Sequence, residues 1–440
     1  MKIFFPIAFF ASLIFLFNSC HTEVVFPGPS LGLGLRAYSC TEIWIEIQVG
    51  NNDKTANIYL KKDGQTIQII NMGQSDSVIY FDDLLPNTSY QFDALTYVDG
   101  KELNSNPLIF TTLDTTSHNL TWQTFSFGKH NLSTLYDVSI INENNIWAVG
   151  EIYMNDSLGN PDLKIYNTLK WNGSDWDMLR IPFTYQGTDY NPLQSVCAFS
   201  ADDIWLCGNN VIHWNGSEFK PEIIPSGIWG SYQINKVWGR SSSDLYIIGS
   251  KGSIAYFNGV NWSKIESGTT SNLIDIWGTQ EGNTIWICGV NNDYGISTLL
   301  KIKDGISEII FEGSSNTKSN GYYVGPVSSL WSDNDYRVFL MNWGGICLQK
   351  NSDKLFLEKQ IAAFSNMGLG MDGSSYNNVF TCGQKLLGHW NGVNLSEYQE
   401  LQTPQRTLMS INVKSDIICS VGLDYNGPVY SNAVIILGRQ

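Results

Sequence analysis

A four-residue step organises this chain: an anchor aromatic, two mostly apolar residues and a glycine. It reads WAVG at Trp147, WLCG at Trp205, YIIG at Tyr246 and WICG at Trp286, then FLMN at Phe339, FTCG at Phe380 and CSVG at Cys419. The copies follow one another at about 40 residues, stretched to about 55 twice, and self-similarity at such a period marks a repeat architecture. A unit of this length cannot bury its apolar face alone, so neighbouring units must stack. Each segment within it is short, rich in β-branched and aromatic residues and bounded by turn residues, which is the pattern of strands.

Four strands can be read in each unit. The first ends in apolar residues shortly before the anchor, as in DVSII, SVCAF, KVWG, DIWG, SLWS and SINV. A polar turn follows (NENN, SADD, RSSSD, TQEGN, SDNDY, SSYNN), whose Asn, Asp and Ser side chains bond their own backbone and permit the reversal. The second strand carries the anchor, with its glycine expected where neighbouring backbones crowd. The third closes on LKWNG, IHWNG, AYFNG or GHWNG, and Asn-Gly is a strong hairpin signal because both residues tolerate positive φ. The fourth begins with another aromatic, as in SDWDML and VNWSKI. The prediction is an all-β fold, with a seven-bladed β-propeller over residues 121–440 whose aromatic rings pack blade on blade. The last copy, NAVIILGRQ, is a third strand with no fourth after it, whereas TWQTFSFG (Thr121–Gly128) looks like a fourth strand placed ahead of the first unit. Pairing the two would remove an exposed edge.

Residues 1–120 have a different plan. MKIFFPIAFFASLIFLFNSC has one early Lys, an apolar stretch from Ile3 to Phe17 and small or polar residues before Cys20, which reads as an export signal over 1–19 rather than a membrane span. It resembles a bacterial lipoprotein signal, with Phe17 and Asn18 where Leu and a small residue are commoner. That resemblance implies acylation of Cys20, which anchors a protein to a membrane without crossing it. Residues 20–26 would be the tether. From 27 to 114, short alternating runs such as TEIWIEIQV, ANIYLKK and TIQIINM are separated by polar turns, as in a small β-sandwich. The segment LLPNTSYQFDALTY resembles the fibronectin type III signature through Leu84, Pro86, Thr88 and Tyr90; the resemblance implies that Tyr90 ties the loop to the next strand and that Trp44 is the core Trp. Residues 115–120 form a linker. The whole order resembles the propeller lipoproteins of the Bacteroidota, which implies a place in the cell envelope, on the outer membrane, periplasmic or surface-facing; an ordinary secretory signal with Cys20 incidental would make the protein secreted instead.

Composition narrows the chemistry. The net charge of −15, with 26 Lys and Arg, argues against a phosphate-neutralising surface and so against nucleic acid as a partner. Cys207, Cys288 and Cys382 stand where other copies have Val149, Ile248 and Met341, so they read as small core hydrophobes rather than disulfide partners. No Cys or His spacing suits zinc, and no nucleophile elbow, phosphate loop or HExxH occurs; no metal and no cofactor is expected. His213 and His389 each precede a Trp in the third-strand frame, where other units have Lys170 and Tyr256, which is a structural interchange.

The loops on one rim, between second and third strands and between one unit and the next, are longer and carry extra rings: Tyr153, Tyr185, Tyr190, Trp229, Tyr232, Tyr294, Tyr322, Tyr323, Trp343 and Tyr425. Aromatic faces beside amides suit sugar rings or peptide segments, and function concentrates on such loops. The opposite rim, with short polar turns, is expected to be plain. The chain is therefore read as a monomeric, non-enzymatic binding or scaffold module for glycan or protein. The alternatives are a polysaccharide-active hydrolase or lyase using Asp156, Asp162, Asp189, Asp293 or Asp424, two carboxylates being its minimum, and a structural subunit of an envelope complex.

Overall fold

Apolar alternation folds the chain into strands almost throughout. The computed structural model describes residues 30–440 apart from 51–56, 72–77, 183–188, 231, 281, 292–295, 315–317, 320–321, 324–325, 336 and 351–356; the export segment and Cys20 lie outside the described residues. No helix among the described residues is long and apolar enough to cross a membrane. Two compact units divide the chain. One comprises residues up to Arg36 with Trp44–Tyr80 and Ser89–Phe110, the other Ala37–Ile43, Phe81–Thr88 and Thr111–Gln440.

The smaller unit carries two sheets. Strands Ser30–Tyr38, Ile43–Gly50 and Val78–Phe81 make one; Gln65–Asn71, Asn57–Lys62, Ser89–Val98 and Lys101–Asn104, with Leu108–Thr111 also on 89–98, make the other. Trp44, Ile45, Ile47, Ile58, Leu60, Phe92 and Phe110 are buried. The Trp44 ring meets Tyr80 edge-on at 4.8 Å, and Tyr90 lies 6.1 Å from Phe110.

The larger unit holds seven four-stranded antiparallel sheets among its described residues, over 134–179, 195–222, 234–266, 272–314, 327–363, 368–397 and 406–439, the last completed by Thr121–Phe127. That completing strand runs antiparallel to Ser431–Arg439, from Phe127 opposite Ala433 to Thr121 opposite Arg439, the pairing expected of TWQTFSFG. First strands of successive sheets pack side by side, and the seventh returns against the first. Each anchor faces a first-strand residue: Trp147 faces Ser139, Trp205 Cys197, Tyr246 Trp238, Trp286 Trp277, Phe339 Trp331, Phe380 Asp372 and Cys419 Asn412. The sixth first strand, Gly368–Ser375, has no counterpart in the sequence reading, because Gly368, Gly370 and Gly373 interrupt its apolar pattern.

Steric crowding explains the repeated glycine. A Cβ on Gly150 would lie 2.1 Å from the Thr134 carbonyl oxygen, one on Gly249 2.0 Å from that of Gln233, and one on Gly422 2.1 Å from that of Thr407. In each case the neighbouring first strand enters at a β-bulge, where the backbones close in. The Asn-Gly turns work differently from expectation. Only the glycines, such as Gly173 and Gly216, have positive φ. The asparagine instead accepts backbone N–H groups with its side chain, as Asn172 Oδ1 does from Ser174 at 3.0 Å and Asp175 at 3.0 Å, an Asx-type closure.

In five of the sheets the third-strand residue opposite the anchor covers its ring. Lys170 Nζ stands 5.3 Å from the Trp147 centroid, His213 stacks on Trp205 at 4.2 Å and His389 on Phe380 at 4.3 Å. Burial, aided by nearby His118, pushes the His389 imidazole down to about 3, so it stays neutral. Cys207, Cys288 and Cys382 are fully buried, and the seven cysteines of the described residues are free.

Candidate functional site

The first strands of all seven sheets line one central channel. Side chains of a strand alternate between faces, so with Val138 and Ile140 in the core, Asp137 and Ser139 face the channel. The bulges fix what its mouth displays. Register shifts fall between Leu135 and Asp137, Ile234 and Lys236, Leu273 and Asp275, Val327 and Ser329, Gly368 and Gly370, and Leu408 and Ser410. The skipped residues, Tyr136, Asn235, Ile274, Ser328, Leu369 and Met409, together with Gln194, line a cavity of about 120 Å³ at the mouth.

Below the mouth the channel is charged. Asp137 Oδ1 accepts from Lys236 Nζ at 2.9 Å and Ser410 Oγ at 2.7 Å, while Oδ2 accepts from Ser195 Oγ at 2.5 Å and the Val196 N–H at 3.1 Å. Burial alone would lower the Lys236 ammonium, but the carboxylates of Asp137 and Asp275 outweigh it and raise it. Asp275 takes the Leu330 N–H at 3.1 Å and Asp372 the Val413 N–H at 2.8 Å. Burial raises both carboxyls, Asp372 to about 7, against the lowering effect of those hydrogen bonds and of Lys236. Neutral residues make the same link: Ser195 accepts the Val237 N–H, Ser329 that of Met371, and Asn412 that of Ile140. Six of the seven seams between first strands are thus crossed by a side-chain acceptor on one sheet and a backbone donor on the next.

The rim expected to be plain is not. Trp238 and Trp277, with ring centroids 6.1 Å apart, line a chamber of about 450 Å³ together with Asp372, Asn412 and, at its edge, Arg240 and Lys414. Arg240 is engaged by Asp244 at 2.7 Å and by the carbonyls of Thr279 and Gly282, each at 2.7 Å.

The sequence-predicted aromatics divide. Tyr153 and Tyr425 come together with Tyr136 at the mouth. The Tyr136 and Tyr153 hydroxyls donate to the two oxygens of Glu151 at 2.5 and 2.8 Å, and Tyr425 is close enough to act on the Tyr136 phenol electrostatically. Burial first, then the Glu151 bond, raises both phenols, Tyr153 to about 12. Tyr190 lies 6.0 Å from Lys164 Nζ and Tyr232 5.3 Å from Lys251 Nζ. Trp343 is half exposed, apart from these groups. Trp229, by contrast, is only 6% accessible; it packs with Trp205, Cys207 and Val237, and its N–H bonds the Tyr232 carbonyl at 2.8 Å, so its ring serves the core. Of Tyr322 and Tyr323 only the backbone is described, as a short strand opposite Lys318–Ser319. Tyr185 and Tyr294 fall outside the described residues.

Of the loop carboxylates, Asp162 is paired with Arg180, and Asp424 is held bidentately by Arg406 at 2.8 and 2.7 Å. Asp156 caps its own turn through Leu158 and Asn160, and Asp293 lies outside the described residues. Among the described residues no group of three His, Cys, Asp or Glu is arranged to hold a metal. The channel residues were missed in the sequence, although one signal existed: polar or small residues at alternate positions of an apolar first strand, as in Asp137-Val138-Ser139-Ile140.

No family model and no curated protein matches the chain. Solved structures do. That of YCF48 bound to D1 peptide covers 74% of this chain and 97% of its own at 14% identity, with a TM-score of 0.52. That of the WD40 β-propeller domain of Doa1 covers 73% and 98% at 13% identity, with a TM-score of 0.51. At such identities the likeness concerns the fold alone, and with four-stranded sheets set around one channel it shows that this chain carries a β-propeller.

Proposed function

We propose that this protein is a non-enzymatic binding module of the cell envelope that receives a protein segment across the mouth of its channel. In this reading the propeller has seven blades over 121–440, and residues 27–114 form a fibronectin type III-like spacer. Cys20 carries the lipid that anchors the protein to the outer membrane. The observation that carries it is the bulge repeated at one step of six first strands. Bulges re-aim side chains, and here they bring Tyr136, Asn235 and Ser328 to one opening beside Gln194; the Gln194 amide and the acceptor oxygens left on the other three, whose donors are used within the chain, can meet an extended backbone there. Tyr153, Tyr425, Tyr232 and Trp343 offer exposed or half-exposed rings on the same rim, a composition suited to protein contacts. A fold like that of YCF48, solved with a peptide bound, is compatible with this use.

Selection of a displayed random-peptide library against the full chain tests the reading, with a glycan array run alongside. Specific peptides whose binding falls on Gln194→Ala and Asn235→Ala are expected. Glycan hits with no peptides would replace protein by carbohydrate as the ligand. For the anchor, metabolic labelling with a fatty acid should mark the wild type and not Cys20→Ser; equal labelling would remove the lipoprotein assignment.

A further inference from the structure

Three rings on the rim that carries the channel mouth are covered by cations of this same chain. Tyr166 lies under the Arg180 guanidinium at 4.0 Å, Tyr190 under Lys164 at 6.0 Å and Tyr232 under Lys251 at 5.3 Å. Glu151 breaks the pattern. Two phenols, from Tyr136 and Tyr153, fix the carboxylate by donating one to each oxygen. Tyr425, 47% exposed, stands nearby, and the His130 ring lies 5.9 Å from Tyr153 with its Nε2 at 2.8 Å from the Met154 carbonyl. Arg406, in the neighbouring sheet, has two of its nitrogens committed to Asp424 and a third to the Leu401 carbonyl at 2.8 Å. No ion pair to Glu151 is formed among the described residues.

The corner is therefore built as a cation site, with an oriented carboxylate and aromatic faces beside it, and no cation of the described residues pairs with it. Each carboxylate oxygen accepts one phenol and has capacity for another donor. A cation between a carboxylate and aromatic rings gains from both.

We infer that Glu151, with Tyr153 and Tyr425, receives a lysine or arginine side chain of the bound protein segment, so that the partner is recognised by a basic residue placed over the channel mouth. The inference rests on the peptide-binding reading above and specifies the chemistry of the segment. Tyr136 and Tyr153 act as positioning residues that hold the carboxylate toward the mouth. A guanidinium fits better than an ammonium, since it offers a planar fork to the carboxylate while stacking on a ring.

The test uses peptides selected on the full chain. Enriched sequences should carry Arg or Lys at a fixed position, and replacing that residue by Ala or norleucine should weaken binding about tenfold or more. Glu151→Gln, which keeps the size of the side chain, should weaken the basic peptides to the same degree and leave the norleucine peptide unchanged. Glu151→Lys, with a melting point checked against the wild type, should reject basic peptides altogether. Enriched peptides without a basic position, or basic peptides bound equally by Glu151→Gln, would overturn this inference and leave the peptide-binding reading standing. Selection of no peptide at all would overturn that reading and this inference with it.

Discussion

Asp137 joins four sheets through one carboxylate, and its removal gives the sharpest test of how the propeller is held together. Its side chain is 3% exposed and meets Lys236, itself a quarter exposed within the channel, as well as Ser195, Val196 and Ser410. Breaking a buried ion pair by deleting one partner costs about 3–5 kcal/mol, because a charge is left without compensation. The channel gives Lys236 some access, so the lower end, about 3 kcal/mol, applies to Asp137→Ala. The stranded Val196 N–H adds about 1 kcal/mol or more. Larger domains move by at most about 2–4 °C per kcal/mol, so the melting point should fall by several degrees. Asp137→Asn retains one acceptor oxygen and should fall between. Replacing both charges, as in Asp137→Ala with Lys236→Met, should recover much of the loss, since a buried pair exchanged for apolar groups is near neutral. Thermal melts of the full chain followed by circular dichroism measure the order of midpoints. Should Asp137→Ala melt within a degree of the wild type, or the double variant melt no higher than the single one, the carboxylate does not hold the sheets in the way described.

Three further outcomes follow. Gly150→Ala places a Cβ 2.1 Å from the Thr134 carbonyl oxygen and 2.7 Å from Leu135 Cα; overpacking against backbone should cost about 1–3 kcal/mol, read as a lower urea midpoint. Asp372 has a carboxyl raised to about 7 by burial, so the folded state holds its proton where the unfolded state has lost it, and stability should fall as pH rises from about 4 to 7. Asp372→Asn should flatten that slope, which melts across the window will show. Burial raises the Cys207, Cys288 and Cys382 thiols, so these three should resist alkylation in the native protein and react on unfolding, counted by mass spectrometry.

Periodicity made the sheets legible because Trp147, Trp205, Tyr246 and their counterparts must bury large rings at one geometric position, and no loop insertion erases that demand. The completing strand was legible for a related reason: an unpaired third strand at 431–439 needs a neighbour, and only Thr121–Phe127 carries the matching pattern. The channel was harder to see. Asp137 and Asp275 occur in runs that read as ordinary apolar strands, and the bulges that aim Tyr136 or Asn235 inward depend on register, which a single strand does not encode. Glycines hid Gly368–Ser375 for want of side chains to pack. Trp229 was misjudged because its loop folds back on the core, and aromatic content alone does not separate a ring that binds from one that packs.

Where a channel side chain accepts a backbone N–H from another sheet, the sense round the circle is the same: Asp137 to the second sheet, Ser195 to the third, Asp275 to the fifth, Ser329 to the sixth, Asp372 to the seventh and Asn412 back to the first. The junction of third and fourth sheets reverses this sense, with Asn235 Nδ2 and the Arg240 guanidinium donating forward to the carbonyls of Leu273, Thr279 and Gly282. Apart from that junction the spokes interlock by one rule, and a wheel so built has no preferred place to be cut among them. Circular permutants opened in the outer hairpins should assemble wherever the new ends fall, whereas swapping a repeat across the reversed junction would set donor against donor.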